Sequence, residues 1–259
     1  MHAAQRAGAA TVECSLDLGI STTKVALQAT EWVAAGRSFP YLPKCKPRTI
    51  YYWDGTAFQT AARFTTSLVK LIPTEWGPPT FEIDGIKMLP TATVSPYADA
   101  ERKTALIAPR GKRILDTCGG LGYFAAWCLK AKAAEIASYE KNPDVIWLRS
   151  LNPWSPPVGE PLTLIEGDIV QEISARPSES ADAALHDPPR FGIAGELYSQ
   201  SFYEQLARVL KRKGMLFHYT GTPNKITSGR DVPNEVATRL RRAGFTTRPE
   251  GDGIFAVKS

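Results

Sequence analysis

Four apolar runs in this 259-residue chain each end in a carboxylate: residues 113–116 (RILD), 136–140 (IASYE), 162–168 (LTLIEGD) and 183–187 (AALHD), closing on Asp116, Glu140, Asp168 and Asp187. The first passes into a turn carrying Gly119, Gly120 and Gly122 and then into an apolar stretch, 124–129, read as a helix. Such a turn lets backbone approach a ligand closely, because glycine lacks Cβ and tolerates positive φ, and the helix behind it offers unpaired N–H groups. By itself a glycine-rich strand-to-helix turn is also ordinary punctuation. Glu140 adds weight, standing roughly twenty residues further on, where a βαβ unit places an acid able to grip ribose hydroxyls. Asp168 and Asp187 extend the series along the strand-end edge of an open α/β sheet, where ligands bind. The last acid opens a second chemistry in residues 186–191 (HDPPRF). The Asp187 carboxylate and the Pro188 carbonyl can accept the two N–H bonds of an amino group, and the Pro188–Pro189 pair stiffens that carbonyl.

A scaffold that brings these ends to one edge is legible in the second part of the chain. Helices are expected over 98–106, 124–132, 143–151, 199–210 and 232–243, with a short helical piece at 169–174. Between them lie strands expected at 114–115, 136–139, 162–165, 183–185, 215–219, 246–248 and 254–257. Strands alternating with helices imply a mostly parallel sheet covered on both faces. Upstream, from Thr11 to Met88, the texture is β, with short β-branched and aromatic stretches broken by proline and glycine. Asp54-Gly55 and Asp84-Gly85 sit between apolar runs and signal hairpins. An antiparallel domain of six or seven strands is expected. The division is a flexible tail over 1–10, a β domain over 11–97 and an α/β domain over 98–259, with the boundary between Leu89 and Ala108.

The segment 116–122 (DTCGGLG) resembles the first motif of class I S-adenosylmethionine-dependent methyltransferases, an acid followed by G-x-G-x-G, with Cys118 where the first glycine is usual. More closely, residues 186–199 (HDPPRFGIAGELYS) together with 74–88 (TEWGPPTFEIDGIKM) resemble a mainly archaeal group of predicted methyltransferases related to spermidine synthases. That likeness runs from Val12 to Lys258. It implies a Rossmann-like methyltransferase domain with a seven-stranded sheet, preceded by the small β domain, and S-adenosyl-L-methionine as cofactor. By resemblance Gly120 and Gly122 face the methionine portion, Glu140 the ribose and Asp168 the adenine. Asp116, Tyr123, Lys141, Ile169 and Asp187 complete the cofactor set. The HDPPRF string is similar to the D/N-P-P-aromatic motif of amino-directed methyltransferases, but Arg190 takes the fourth place and Phe191 follows. A D-P-P-basic-F string also occurs in enzymes that methylate cytosine carbon in RNA through a nucleophilic cysteine, and no cysteine lies near this strand end. The catalytic set is therefore Asp187, Pro188, Arg190 and Phe191, with a small-molecule nitrogen as the favoured acceptor, bound between the domains. RNA-base methylation and aminopropyl transfer are the alternatives. The acceptor set is Glu75, Trp76, Arg190, Tyr198 and Tyr219.

Composition narrows the setting. With 43% hydrophobic and 22% charged residues the chain can bury a main core and a smaller one. A net charge of +5 and a pI near 9.0 permit a nucleic-acid partner without arguing for one. Four cysteines without C-x-x-C spacing and three scattered histidines point to no zinc site or disulfide framework, and to reduced thiols of the cytoplasm. No run reaches the length of a membrane span. A homodimer is compatible with everything above.

Several features read two ways. Residues 44–53 (KCKPRTIYYW) mix cations and rings as RNA-binding surfaces do, yet strand aromatics usually face a core. Trp76 lines the acceptor pocket or sits buried in a rigid Gly-Pro-Pro turn. Arg190 clamps an acceptor anion or pairs with Glu196. Tyr198 is an acceptor contact and Ser199 an N-cap. His186 and His218 read as satisfied core histidines rather than bases. The basic stretches 208–213 and 239–242 read as cations complementing helix C-termini. Residues 221–231 form a long polar segment, read as a lid.

Overall fold

The computed structural model describes residues 1–221, 229 and 231–259, so most of the segment read as a lid lies outside the described residues. The chain forms two compact units, Met1–Pro96 with Ser150–Trp154, and Tyr97–Arg149 with Ser155–Ser259.

The first unit holds ten described strands where six or seven were expected. β1 (Thr11–Cys14), β2 (Thr23–Leu27), β3 (Glu31–Ala34) and β4 (Arg37–Pro40) make an antiparallel meander. β5 (Tyr51–Trp53) and β6 (Phe58–Thr60) make a ribbon. β7 (Ala62–Phe64), β8 (Leu68–Ile72), β9 (Thr80–Ile83) and β10 (Ile86–Lys87) make a second sheet in the order β10-β9-β8-β7. Both Asp-Gly turns are hairpins. Asp54 Oδ1 accepts the Thr56 and Ala57 amides at 2.8 Å each, and Asp84 and Gly85 both take positive φ, 49° and 78°. The β3–β4 hairpin has the same signature at Ala35 and Gly36, φ 49° and 74°, but alanine there hides it from a sequence reader.

Period-2 alternation turns Trp32 and Ala34 inward onto Val25. Phe39 stacks on Trp32 with ring centroids 4.5 Å apart, and the Trp53 ring lies edge-on to Phe39 and Phe58 at 5.3 and 5.0 Å. Trp53 is thus a packing residue of the ribbon. Residues 1–10, expected as a flexible tail, include a helix, α1 (His2–Arg6), tethered by Gln5 Nε2 donating to Ala29 O and by a 2.7 Å bond between His2 Nε2 and Leu42 O. Ser150–Trp154 belongs with this unit: Trp154 Nε1 donates to Leu18 O at 3.1 Å.

The second unit opens with α2 (Pro96–Leu106) and is built on β11 (Arg113–Asp116), β12 (Glu135–Glu140), β13 (Leu162–Glu166), β14 (Ala181–His186), β15 (Leu210–Tyr219), β16 (Phe245–Glu250) and β17 (Gly253–Lys258). Their order is β13-β12-β11-β14-β15-β17-β16, and only β17 runs against its neighbours. The chain starts at β11, steps outward to β12 and β13, then returns to the other side of β11 as β14. The crevice at that reversal is where ligands bind in open α/β sheets. α3 (Tyr123–Lys130), α4 (Pro143–Leu151), α5 (Ile169–Glu172), α6 (Gln200–Val209) and α7 (Val232–Arg242) link the strands.

Local chemistry sets these helices. Ser199 Oγ accepts the Phe202 amide to cap α6, whose Phe202, Tyr203, Leu206 and Val209 recur at helical spacing and are buried. Asp231 caps α7 in the same way through Asn234 N. The basic helix ends serve local carbonyls. Arg208 donates to Ile173 O and Arg176 O at 2.7 Å each, and Arg239 to Tyr198 O at 2.8 Å.

Ala35 is exposed in a left-handed conformation that asparagine adopts more readily. Ala35→Asn should therefore stabilise the protein by about 0.5–1 kcal/mol, seen as a higher urea midpoint at unchanged m-value.

Candidate functional site

Register places the acids. Asp116 lies opposite Ser138 on β12 and Leu185 on β14, so Glu140 and Asp187 each stand two residues beyond it along their strands. Asp116 is buried, its Oδ2 accepts the Ser138 hydroxyl at 2.8 Å, and its Oδ1 is buried with no hydrogen-bond partner among the described residues. Burial pushes this carboxyl up to about 6, against the pull of Ser138 and Arg149.

The glycine-rich turn is tied to the neighbouring strand. Gly119 N donates to Tyr139 O at 2.6 Å and Gly120 N to Glu140 Oε2 at 2.9 Å, while Glu140 Oε1 accepts Asn142 N at 2.9 Å. Glu140 therefore splints the turn and keeps further lone pairs for a ligand. Gly122, φ 81°, starts α3, and a methyl group there would stand 2.5 Å from Arg149 Cζ. The Arg149 guanidinium is a buried cation beneath the turn; its Nε and Nη2 have no hydrogen-bond partner among the described residues. Burial lowers its pKa, and Asp116 and Glu140 oppose that. Tyr123 is buried edge-on to Tyr97 at 5.3 Å.

Asp168 caps α5 by accepting Val170 N at 2.9 Å, ahead of the buried Ile169. Exposed Lys141 lies 3.9 Å from Asp168 and 3.7 Å from Glu196. Glu196 thus faces Lys141, and Arg190, expected to pair with Glu196 or to clamp an anion, is exposed with no ion pair among the described residues.

Asp187 is held by a residue that sequence reading passed over. Lys103 of α2, 1% exposed, places Nζ 2.7 Å from Asp99, 3.3 Å from Asp187 and 3.9 Å from Asp252, and 3.9 Å from the centroid of the Tyr219 ring. Burial would lower its pKa, but Asp187, Asp99 and Asp252 outweigh it and drive it up. Burial raises Asp187, with Lys103 opposing. Tyr219 is pushed up to about 12 by burial and by Asp187. No described residue donates a hydrogen bond to Asp187 Oδ1 or to the Pro188 carbonyl.

Tyr198 requires a correction. It is fully buried rather than open to an acceptor, because its hydroxyl donates to Pro189 O at 2.9 Å and its ring packs against Phe191 and His218. His186 and His218 are likewise satisfied. His186 Nε2 donates to Leu197 O at 3.0 Å, leaving Nδ1 to accept Thr117 Oγ1 at 2.6 Å. His218 Nδ1 donates to Tyr219 O, and Nε2 accepts the Tyr203 hydroxyl at 2.8 Å. Cys118 is no activated nucleophile, since burial drives its thiol well above the ordinary value. In the first unit Glu75 is exposed, and Trp76, 42% exposed, donates Nε1 to Thr91 O; the buried-ring reading of Trp76 is not what the structure shows.

The site and topology define a Rossmann-like α/β unit preceded by antiparallel sheets, the fold of spermidine synthase. The spermidine synthase of Thermotoga maritima matches with a TM-score of 0.61 at 17% identity, over 82% of this chain and 79% of that one. A spermidine synthase in complex with the transition state analogue AdoDATO matches with a TM-score of 0.62 at 15% identity, over 82% of this chain and 80% of that one. No family model matches. The chain belongs to the family of the uncharacterized protein MJ1233 of Methanocaldococcus jannaschii, with which it is 42% identical over 210 residues, 79% of this chain and 72% of that protein.

Gly122→Ala should lose about 1–2 kcal/mol from the left-handed backbone alone, and more as Arg149 is displaced, read as a lower urea midpoint. The histidines predict an acid-sensitive core. The folded pKa of His186 is lowered to about 4 by burial, so the unfolded chain takes up the proton first as pH falls below about 6.5. Its contribution to stability is intact above that pH and declines by about 3 kcal/mol on the way to pH 4. Asp116 titrates in the opposite sense, so the comparison is with His186→Gln: the wild-type advantage at pH 7 should shrink by that amount at pH 4 in chemical denaturation.

Proposed function

We propose that this protein is an S-adenosylmethionine-dependent methyltransferase acting on a nitrogen of a small-molecule acceptor. The observation that carries the reading is the Asp187-Pro188-Pro189 turn beyond the end of β14, next to the glycine-rich turn of β11, with Asp187 Oδ1 and the Pro188 carbonyl both unclaimed by any described donor. Two acceptors on consecutive residues suit the two N–H bonds of an amino group. Holding those bonds directs the nitrogen lone pair away from the turn and toward the crevice.

The donor set fits the cofactor. Asp116 Oδ1 is buried with no partner among the described residues, Glu140 ends β12, and Asp168 stands two residues beyond the end of β13. Glu140 would take ribose hydroxyls, Asp168 the adenine amino group, and Gly120 and Gly122 would let backbone close on the methionine portion. When bound, S-adenosylmethionine would supply a sulfonium-activated methyl group, the carbon–sulfur pair leaving with sulfur as the carbon–nitrogen bond forms. The chain's own task is orientation and exclusion of water; Asp187 also offers a place for the proton that the amine sheds.

Aminopropyl transfer is the second reading, favoured by the fold shared with spermidine synthase across both the antiparallel sheets and the α/β sheet. Methyl-labelled S-adenosylmethionine with host-cell extract separates the readings. Label in the low-mass fraction supports small-molecule methylation, nuclease-sensitive high-mass label points to RNA, and turnover confined to the decarboxylated cofactor establishes aminopropyl transfer. Asp187→Ala should lower transfer at least about 100-fold while cofactor affinity stays within a few fold. Normal turnover by that variant would remove Asp187 from the mechanism.

A further inference from the structure

Lys103 is among the largest side chains that the fold buries completely. It does not sit in a symmetrical ion cluster. Asp99 and Asp252 are each shared with a second cation, Arg102, whose Nη2 lies 3.1 Å from Asp99 Oδ1 and 2.7 Å from Asp252 Oδ1. Among the described residues Asp187 has Lys103 as its single cation, through one oxygen, Oδ2, at 3.3 Å. A single bond to Oδ2 fixes the carboxylate's rotation and leaves Oδ1 to whatever occupies the crevice. The Tyr219 ring under Nζ and the Phe124 ring at 5.9 Å confine the ammonium to this position.

We propose that Lys103 is a positioning residue for transfer: it keeps Asp187 ionised and turns Oδ1 toward the acceptor. This rests on the catalytic reading of Asp187 given above. Among the described residues, the other charged or titratable groups around Asp187 are Asp99 and Arg102 of α2, Asp252 in the β16–β17 turn, Tyr219 of β15, and Asp116 and Cys118 at the end of β11. Asp99, Asp252 and Asp116 all disfavour a second negative charge at this place. Burial acts in the same direction, and among the described residues Lys103 is the cation that opposes them at hydrogen-bond distance. A neutral Asp187 would present a donor where an amine needs an acceptor.

The test needs no acceptor. The ratio of affinities for S-adenosylmethionine and its thioether product, S-adenosylhomocysteine, measured by calorimetry from pH 5 to 9, reports the charge that a sulfonium meets in the site. In Lys103→Met the midpoint of that ratio's titration should move up by about one pH unit or more. Lys103→Arg should restore most of the wild-type profile. Asp99→Asn removes a repelling carboxylate and should move the midpoint down. A merely structural lysine predicts no opposed pair of shifts. An unchanged midpoint in Lys103→Met, or shifts of the same sign in the two variants, would overturn the proposal. Where circular dichroism shows Lys103→Met unfolded, the downward shift in Asp99→Asn decides alone. Transfer of label to the low-mass fraction, followed in parallel, keeps the two claims apart. Opposed shifts with no transfer by any variant would sustain Lys103's hold on Asp187 and remove the methyltransferase reading, whereas transfer by wild type with no opposed shifts would do the reverse.

Discussion

A charge withdrawn from water must be met by another, at a penalty of several kcal/mol when it is not. The α/β unit meets that constraint in two places, and the architecture of the site follows from them. Beneath the glycine-rich turn, Arg149 answers Asp116 and Glu140. Beside the Asp-Pro-Pro turn, Lys103 answers Asp99, Asp187 and Asp252. The guanidinium of Arg149 occupies the space into which a side chain at Gly122 would project, so the glycine there admits the cation as much as it admits a ligand. Because β11 and β14 are hydrogen-bonded neighbours, these two ionic clusters stand side by side at the same sheet edge.

The fold of the second unit was legible because its signals are local. Seven apolar runs, glycine turns and helix caps lie within a few residues of the elements they define, and α4 falls on the expected 143–151. The first unit was read less well. β3 and β4 are joined through Ala35, a residue that ordinarily avoids positive φ, and β7 and β10 are edge segments of three and two residues, too short to show a period. In the site, the acids were visible because strand ends are visible. Lys103 was not: Asp99 and Lys103 at helical i, i+4 spacing look like a solvated pair, and only the approach of Asp187, 84 residues away, makes the lysine a buried one. Tyr198 was misread for the converse reason. Its loop position gave no sign of the Pro189 carbonyl that takes its hydroxyl.

The Asp-Pro-Pro turn is braced on both sides by neutral groups. His186 joins the last residue of β14 to the Leu197 carbonyl, and Tyr198, next along, returns a hydrogen bond to Pro189. The two histidine rings meet edge-to-face at 4.4 Å, a distance at which two imidazolium charges would repel. Burial lowers both pKa values and keeps them uncharged at neutral pH. Rigid neutral packing behind the turn and a paired carboxylate in front of it leave the Pro188 carbonyl with a fixed direction.

Charge balance within this unit bears on which group is transferred. Around Asp187 the carboxylates of Asp99, Asp187 and Asp252 face the cations Lys103 and Arg102, so among the described residues the cluster holds one carboxylate more than it has cations. A single residual negative charge matches a sulfonium, and an acceptor that arrives as a neutral amine adds nothing to be balanced. A polyamine acceptor brings two or more positive charges and needs carboxylates that no internal cation already holds. In this cluster those carboxylates are the ones engaged by Lys103 and Arg102. Within this cluster, Lys103, shared by all three carboxylates, sets how much negative charge is left for a bound cation.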